Sequence, residues 1–164
     1  MLNIDNVKLV LFDFDDTLCI HQKTNNYDKK TYNVEMINGN ISYWEHCNST
    51  INKQMKTFMN ECASKGIEMG LISAVDFACS ADNKIKWASE KYGHILKNYC
   101  TGSTETKKRM IGALMDAKRL NPNQILFIDD LYSNINDAVE LGVQVAIPME
   151  IVNYINDKEF NRIQ

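Results

Sequence analysis

The sequence lacks the features that would place the chain in a membrane or on a nucleic acid. None of its apolar runs approaches the length of a membrane-spanning helix. A net charge of −3 is too small to indicate a nucleic-acid or membrane partner. The first seven residues include Asp5 and no basic residue, so no secretory signal is predicted and a cytoplasmic location is expected.

Cysteine patterns and linkers are lacking as well. The five cysteines are odd in number and never form a C-x-x-C pair, so we predict free thiols and neither zinc sites nor disulfides. They are Cys19, Cys47, Cys62, Cys79 and Cys100. Since 45% of the 164 residues are hydrophobic and no low-complexity linker interrupts them, a single domain over residues 1–164 is expected.

What the sequence does contain is a series of short apolar runs separated by helical patterns. Strands are predicted at Val7–Phe12, Glu68–Ile72, Ile125–Ile128 and Val143–Ile147, with a weaker candidate at Ile95–Thr101. Helices are predicted from Ser49 or Thr50 to Gly66, and at Ser80–Tyr92, Thr104–Leu120 and Ser133–Leu141. Strands alternating with helices predict an α/β fold, Rossmann-like, in which helices cover both faces of a parallel sheet.

One segment interrupts this alternation. Between Cys19 and Cys47 no helical period is found, and alternating apolar residues flank the pair Asn38-Gly39. Asn-Gly favours a tight hairpin because both turn residues adopt positive φ. A small β-hairpin flap, inserted after the first strand at about residues 19–48, is therefore predicted.

Polar side chains follow three of the predicted strands. Asp13 and Asp15 end the first, Ser73 ends the second, and Asp129 and Asp130 end the strand at Ile125–Ile128. In an open α/β sheet the ligand binds beyond the carboxyl ends of the strands, so these side chains are expected to meet at one edge.

These residue types suit phosphoryl transfer. A carboxylate such as Asp13 can attack phosphorus to form an aspartyl-phosphate, and a second acid such as Asp15 can exchange protons with the leaving oxygen and water. Carboxylates repel a phosphate dianion, so a hard cation such as Mg²⁺ is required, with Asp129 and Asp130 completing its shell. A hydroxyl (Ser73) and a lysine can hold the phosphate oxygens.

Together these motifs resemble the haloacid dehalogenase (HAD) superfamily of phosphohydrolases. Asp13-Phe14-Asp15-Asp16-Thr17 matches the first motif of that family, Ile72-Ser73 the second and Ile128-Asp129-Asp130 the fourth. The third motif is a lysine near the start of the helix before the acidic strand. Lys107 fits it best, and Lys108 is the near alternative.

The resemblance implies a set of site residues. Mg²⁺ would be held by Asp13, the backbone carbonyl of Asp15 and Asp130, while Asp129 would bind through water or orient the others. Asn134 would support this loop. The residues implied to contact the substrate phosphate are Phe14, Asp16, Thr17, Ser73, Ala74 and Lys107.

Other functions share parts of this pattern. A phospho-accepting receiver domain also uses an acidic pair, but at the end of its first strand and without an equivalent of Asp15. A phosphomutase uses the same centre, and a scaffold protein without catalytic activity is a further alternative. Dehalogenases of the superfamily lack the second acid, which disfavours dehalogenation.

The short insertion after the first strand implies a minimally capped enzyme with an open site. A phosphorylated protein, nucleic-acid end, sugar or nucleotide would fit such a site. A homo-oligomer that completes a cap is also compatible with the sequence.

Overall fold

The structure is a computed structural model that describes residues 2–20, 50–75, 78–102 and 106–163. Its strands are β1 (Leu9–Phe12), β2 (Cys19–Ile20), β3 (Thr50–Ile51), β4 (Glu68–Leu71), β5 (Ala74–Val75), β6 (Lys97–Asn98), β7 (Thr101–Gly102), β8 (Ile125–Ile128) and β9 (Gln144–Ala146). Its helices are α1 (Lys53–Ser64), α2 (Ala78–Tyr92), α3 (Lys107–Lys118), α4 (Tyr132–Val139) and α5 (Pro148–Ile163), with a 3₁₀ turn at Pro122–Gln124.

Five of the strands form a parallel sheet in the order β6–β4–β1–β8–β9. The chain builds the sheet outward from β1 on one side and then crosses to β8 on the other. The strand order therefore reverses at β1, and ligands of open α/β sheets bind at this point. The sheet confirms the predicted parallel α/β fold.

Side chains of the central strands alternate between two cores, as expected when helices cover both faces. On one face Val10 and Phe12 pack with α1, α2 and α5. On the other face Leu9 and Leu11 pack with α3 and α4. The four side chains of β1 are fully buried, which places the strand end that follows them at a fixed position.

The short antiparallel pair β2–β3 joins Cys19 to Ile51 and Ile20 to Thr50. Ile20 and Thr50, which border the segment outside the described residues, therefore lie next to each other, close to the end of β1. The predicted hairpin at Asn38-Gly39 lies outside the described residues. No helix in the described part of the chain has the length and apolar character needed to cross a membrane.

One sequence interpretation is wrong, and one helix was not predicted. The prediction that Ser49 or Thr50 caps the first helix fails at Thr50, which lies in β3, because the side chain of Asn52 accepts the N–H of Met55 and caps α1 instead. No element was predicted beyond the strand at Val143–Ile147, whereas Pro148 begins α5. Proline is favoured at the start of a helix, where its missing N–H has no intrahelical partner.

Candidate active site

The site begins where β1 ends. The N–H of Asp13 donates to the carbonyl of Ile128 on β8 at 2.9 Å, and the N–H of Ile72 donates to Phe12 at 2.9 Å. These bonds continue the pairing of β1 with both neighbours by one residue. Asp13, Ser73 and the residues after β8 therefore lie along the same carboxyl edge of the sheet.

A tight loop after Asp13 turns the chain back on itself. The N–H groups of Leu18 and Cys19 both donate to the carbonyl of Phe14, at 3.0 and 2.8 Å. Asp16 has φ +54°, a left-handed conformation that aspartate adopts more readily than most residues. The loop leaves the carboxylate of Asp13 buried and that of Asp15 about 42% exposed.

Lys107 lies between two of the carboxylates. Its Nζ donates to Oδ1 of Asp13 and to Oδ2 of Asp129, both at 2.6 Å. The lysine is the first residue of α3, which Thr106 caps by accepting the N–H of Arg109. A positive charge at a helix N-terminus interacts unfavourably with the helix dipole. The position of the Lys107 ammonium is therefore explained by its ion pairs with Asp13 and Asp129 and not by the helix. Lys108 instead pairs with Glu140 at the surface.

Asp129 is fully buried and accepts several hydrogen bonds. Besides the bond from Lys107, its Oδ1 accepts the N–H of Leu131 at 2.9 Å, and Nδ2 of Asn134 lies 3.0–3.1 Å from both carboxylate oxygens. These donors fix the orientation of the Asp129 carboxylate. Asn134 thus contacts the acidic loop, where the sequence placed it.

Asp13, Asp129 and Asp130 form a cluster in which one carboxylate oxygen from each residue lies within 4.8 Å of the other two. Hard oxygen ligands at this spacing fit a divalent cation such as Mg²⁺. Burial raises the pKa of Asp13, and repulsion by Asp129 and Asp15 adds to this rise. The attraction of Lys107 only partly opposes these effects, so the pKa is about 7. A bound cation would favour the ionised carboxylates.

The pKa of Lys107 is raised despite the burial of its side chain. Burial alone lowers the pKa of this ammonium, but attraction by Asp13 and Asp129 outweighs it. Burial and repulsion by Asp129 also raise the pKa of Asp130. The raised pKa values of Asp13 and Asp130 therefore follow first from burial, and repulsion by Asp129 adds to both.

Comparisons with known proteins extend this picture. No model of a protein family matches the sequence, and no curated protein matches it. Several solved structures, however, match the fold of this chain. A haloacid dehalogenase-like family hydrolase from Streptococcus pneumoniae is 16% identical with a TM-score of 0.55, and the match covers 91% of each chain. A HAD family enzyme from Bacteroides thetaiotaomicron, crystallised with magnesium and inorganic phosphate, is 14% identical with a TM-score of 0.53 over 86% of this chain and 93% of that one.

This chain has the HAD fold. A hypothetical protein from Xanthomonas campestris also matches, with 17% identity and a TM-score of 0.51 over 87% of this chain. The match spans 64% of the Xanthomonas chain, so that protein is considerably longer than the region they share. At these identities the likeness establishes the fold, and the chemistry is argued from this chain's own residues.

The HAD resemblance also predicts phosphate contacts within the first loop. Phe14 and Thr17 are fully buried, so their side chains do not face the solvent side of the site. The backbone N–H of Asp16 already donates to the carbonyl of Cys19 at 2.9 Å. Ala74 is exposed immediately beyond Ser73. The contacts of these residues with phosphate stay predictions.

One residue of this candidate site was missed from the sequence. Lys84 of α2 is buried, and its Nζ donates to Oδ2 of Asp15 at 2.7 Å and to Oγ of Ser73 at 2.8 Å. A signal for it existed: Lys84 shares a helical face with the buried Ala81 and Ala88. A charged residue on the apolar face of a helix indicates a buried polar partner.

Proposed function

We propose that this protein is a Mg²⁺-dependent phosphohydrolase that forms an aspartyl-phosphate on Asp13. The observation that carries the proposal is the convergence of the three clustered carboxylates with Lys107 at the point where strand order reverses. A carboxylate nucleophile, a cation site and a fixed ammonium are what phosphoryl transfer to aspartate requires.

The three carboxylates suit a metal ion that also meets the substrate phosphate. Asp13, Asp130 and the backbone carbonyl of Asp15 would hold Mg²⁺, with Asp129 orienting them. When bound, the ion supplies charge that allows a phosphate dianion to approach a carboxylate. The similarly folded Bacteroides enzyme, crystallised with magnesium and inorganic phosphate, supports this choice of ion and ligand.

The proposed reaction has two steps. In the first, a carboxylate oxygen of Asp13 attacks phosphorus, the bond to the ester oxygen breaks, and Asp15 gives a proton to the departing alcohol. In the second, Asp15 takes a proton from water as that water attacks the phosphorus of the aspartyl-phosphate. Inorganic phosphate leaves and the carboxylate of Asp13 is restored, so each group returns to its starting state.

Lys107 and Ser73 contribute to binding the transferred group. Lys107 contacts the nucleophile itself, and its charge offsets negative charge as the phosphoryl group reaches Asp13. The buried hydroxyl of Ser73 lies on the opposite side of β1, at the end of β4. The substrate we propose is a phosphomonoester, including bulky or macromolecular ones. A phosphomutase with the same centre is the alternative.

Hydrolysis of an aryl phosphate tests the proposal. The purified protein should release p-nitrophenol from p-nitrophenyl phosphate with Mg²⁺ and stop when excess EDTA is added. A screen of nucleotides, sugar phosphates and phosphopeptides would then define the substrate. Absence of hydrolysis across the screen would contradict the phosphohydrolase assignment. Transfer of phosphate within a sugar phosphate, without release, would favour the mutase.

Two adjacent lysines provide a matched pair of variants. Lys107→Met should lower kcat by about 10²–10³-fold, because it removes an ammonium that contacts both Asp13 and Asp129. Lys108→Met should stay within about twofold, because Lys108 pairs with Glu140 at the surface. Steady-state kinetics with Mg²⁺ on both variants measure this difference. Equal losses, or a larger loss at Lys108, would reject Lys107 as the phosphate-site lysine.

A further inference from the structure

Lys84 is a buried cation that donates hydrogen bonds to two residues of the candidate site. Its side chain is about 4% exposed, and its Nζ lies 5.0 Å from the ring centroid of Phe14. The two hydrogen-bond partners, Asp15 and Ser73, follow different strands of the sheet. Lys84 therefore connects the proposed acid–base residue to the proposed phosphate-binding hydroxyl.

Stability alone gives a poor account of this lysine. Removing an ammonium from water costs free energy, and replacing both members of a buried ion pair by apolar side chains is often neutral or stabilising. Asp15 is partly exposed, so its carboxylate does not need a buried partner for its own solvation. An apolar residue at position 84 would fit the face it shares with Ala81 and Ala88.

Hydrogen-bond chemistry points to a role in orientation. A lysine ammonium has three donors and no acceptor, so Oγ of Ser73 must accept the bond from Lys84. The hydrogen of the Ser73 hydroxyl is thereby left to donate elsewhere. The same ammonium donates to Oδ2 of Asp15 and so holds the carboxylate in one orientation.

The two lysines of the site divide its residues between them. Lys107 contacts the nucleophile Asp13 and the loop residue Asp129. Lys84 contacts Asp15 and Ser73, which have no contact from Lys107 among the hydrogen bonds of the described residues. Each half of the site thus has its own cation holding two groups in place.

We propose that Lys84 is a positioning residue that holds Asp15 and directs the Ser73 hydroxyl toward the substrate phosphate. This inference rests on the proposed phosphohydrolase function, but it concerns a residue that the sequence motifs do not contain. Lys84 acts through its two partners, so its loss lowers turnover without removing a group from the reacting atoms.

Lys84→Met is the main test, because methionine has a similar length and lacks the charge. The kcat for p-nitrophenyl phosphate should fall by about 10–100-fold, a usual loss when a residue that orients an active-site group is removed. The melting temperature should stay unchanged or rise. Lys86→Met is the matched control, since Lys86 lies exposed on the same helix. It should leave both quantities unchanged.

A double-mutant cycle separates positioning from structural damage. If Lys84 acts partly through Ser73, the effect of Lys84→Met should shrink in a Ser73→Ala background. Lys84→Arg, which keeps donors for both partners, should recover part of the lost kcat. A loss that is additive with Ser73→Ala and accompanied by a lower melting temperature would overturn the proposal, as would a kcat within twofold of wild type.

The binding of inorganic phosphate tests the role of Lys84 independently of the proposed phosphohydrolase activity. With Mg²⁺ present, Lys84→Met should weaken phosphate binding, measured by calorimetry, by about fivefold or more. This is the loss expected when one hydrogen bond to the phosphate is poorly directed. If the wild-type protein hydrolyses no substrate, the proposed function is rejected. The phosphate affinities of wild type and Lys84→Met still decide the role of Lys84. Unchanged phosphate affinity would then overturn it. If Lys84→Met does not fold, Lys84→Gln replaces it, and failure of both variants to fold would show a structural role instead.

Discussion

Asp13→Asn should make the metal-free protein more stable at pH 8 while removing its activity. Asp13 has a pKa of about 7 because it is buried beside other carboxylates, whereas an unfolded aspartate titrates near 3.8. The folded state therefore holds the proton more tightly. Its stabilising effect is complete below about pH 4 and is lost as the pH rises through 7. The asparagine side chain has no carboxyl proton to lose, so it stays uncharged as the pH rises.

Thermal unfolding in EDTA between pH 5 and pH 8 measures this effect. The wild-type melting temperature should fall across this range more than that of Asp13→Asn, and the variant should be more stable at pH 8 by up to a few kcal/mol. Mg²⁺ should restore stability to the wild type and much less to the variant, which lacks a ligand. Asp116→Asn, an exposed change on α3, is the control.

The same variant should lose catalysis by roughly 10³-fold or more, because the carboxylate proposed to accept the phosphoryl group is gone. Turnover at the wild-type rate would reject Asp13 as the nucleophile. A variant less stable than wild type at pH 8 in EDTA would reject the account of its buried charge. The two measurements therefore test separate statements about one carboxylate.

Asp15→Asn should block turnover by a different route. General acid–base catalysis contributes about 10²–10⁴-fold, so kcat should fall by that factor. With an aryl phosphate the leaving group departs with little help from a proton, so Asp13 is still phosphorylated while water attack is slow. Phosphoenzyme should accumulate and be seen by intact-protein mass spectrometry after acid quenching. Its cleavage by hydroxylamine would identify an acyl phosphate.

Controls for Asp15→Asn follow from the two proposed roles. The double variant Asp13→Asn/Asp15→Asn should carry no phosphate, because the nucleophile is gone. Normal turnover by Asp15→Asn would reject the acid–base role. A long-lived phospho-aspartate in the wild-type protein, without turnover, would favour the receiver-like alternative over hydrolysis.

Much of the fold was predictable because its strands are short, apolar and followed by polar residues. Phe12 and Ile128 end adjacent parallel strands, so the acids after them had to meet at one edge. The C-terminal helix α5 was not predicted, although it begins at Pro148, directly after the last predicted strand. The cap at Asn52 was missed because Thr50 belongs to a strand pairing that joins distant parts of the chain.

The site was less predictable where it depends on packing between elements. Lys107 and Lys108 are neighbours in sequence, and only the orientation of α3 against the sheet directs one to Asp13 and the other to Glu140. Lys84 is 69 residues from Asp15 along the chain, so no local motif joins them. The lysine on an apolar helical face was visible in the sequence, but its partners were not.

The placement of the two lysines has a mechanical consequence for the site proposed to bind phosphate. Lys84 joins Asp15, which follows β1, to Ser73, which follows β4. Lys107 joins Asp13 at the end of β1 to Asp129, which follows β8. The two lysines belong to helices on opposite faces of the sheet, so a shift of either helix would be transmitted to the strand ends at the site.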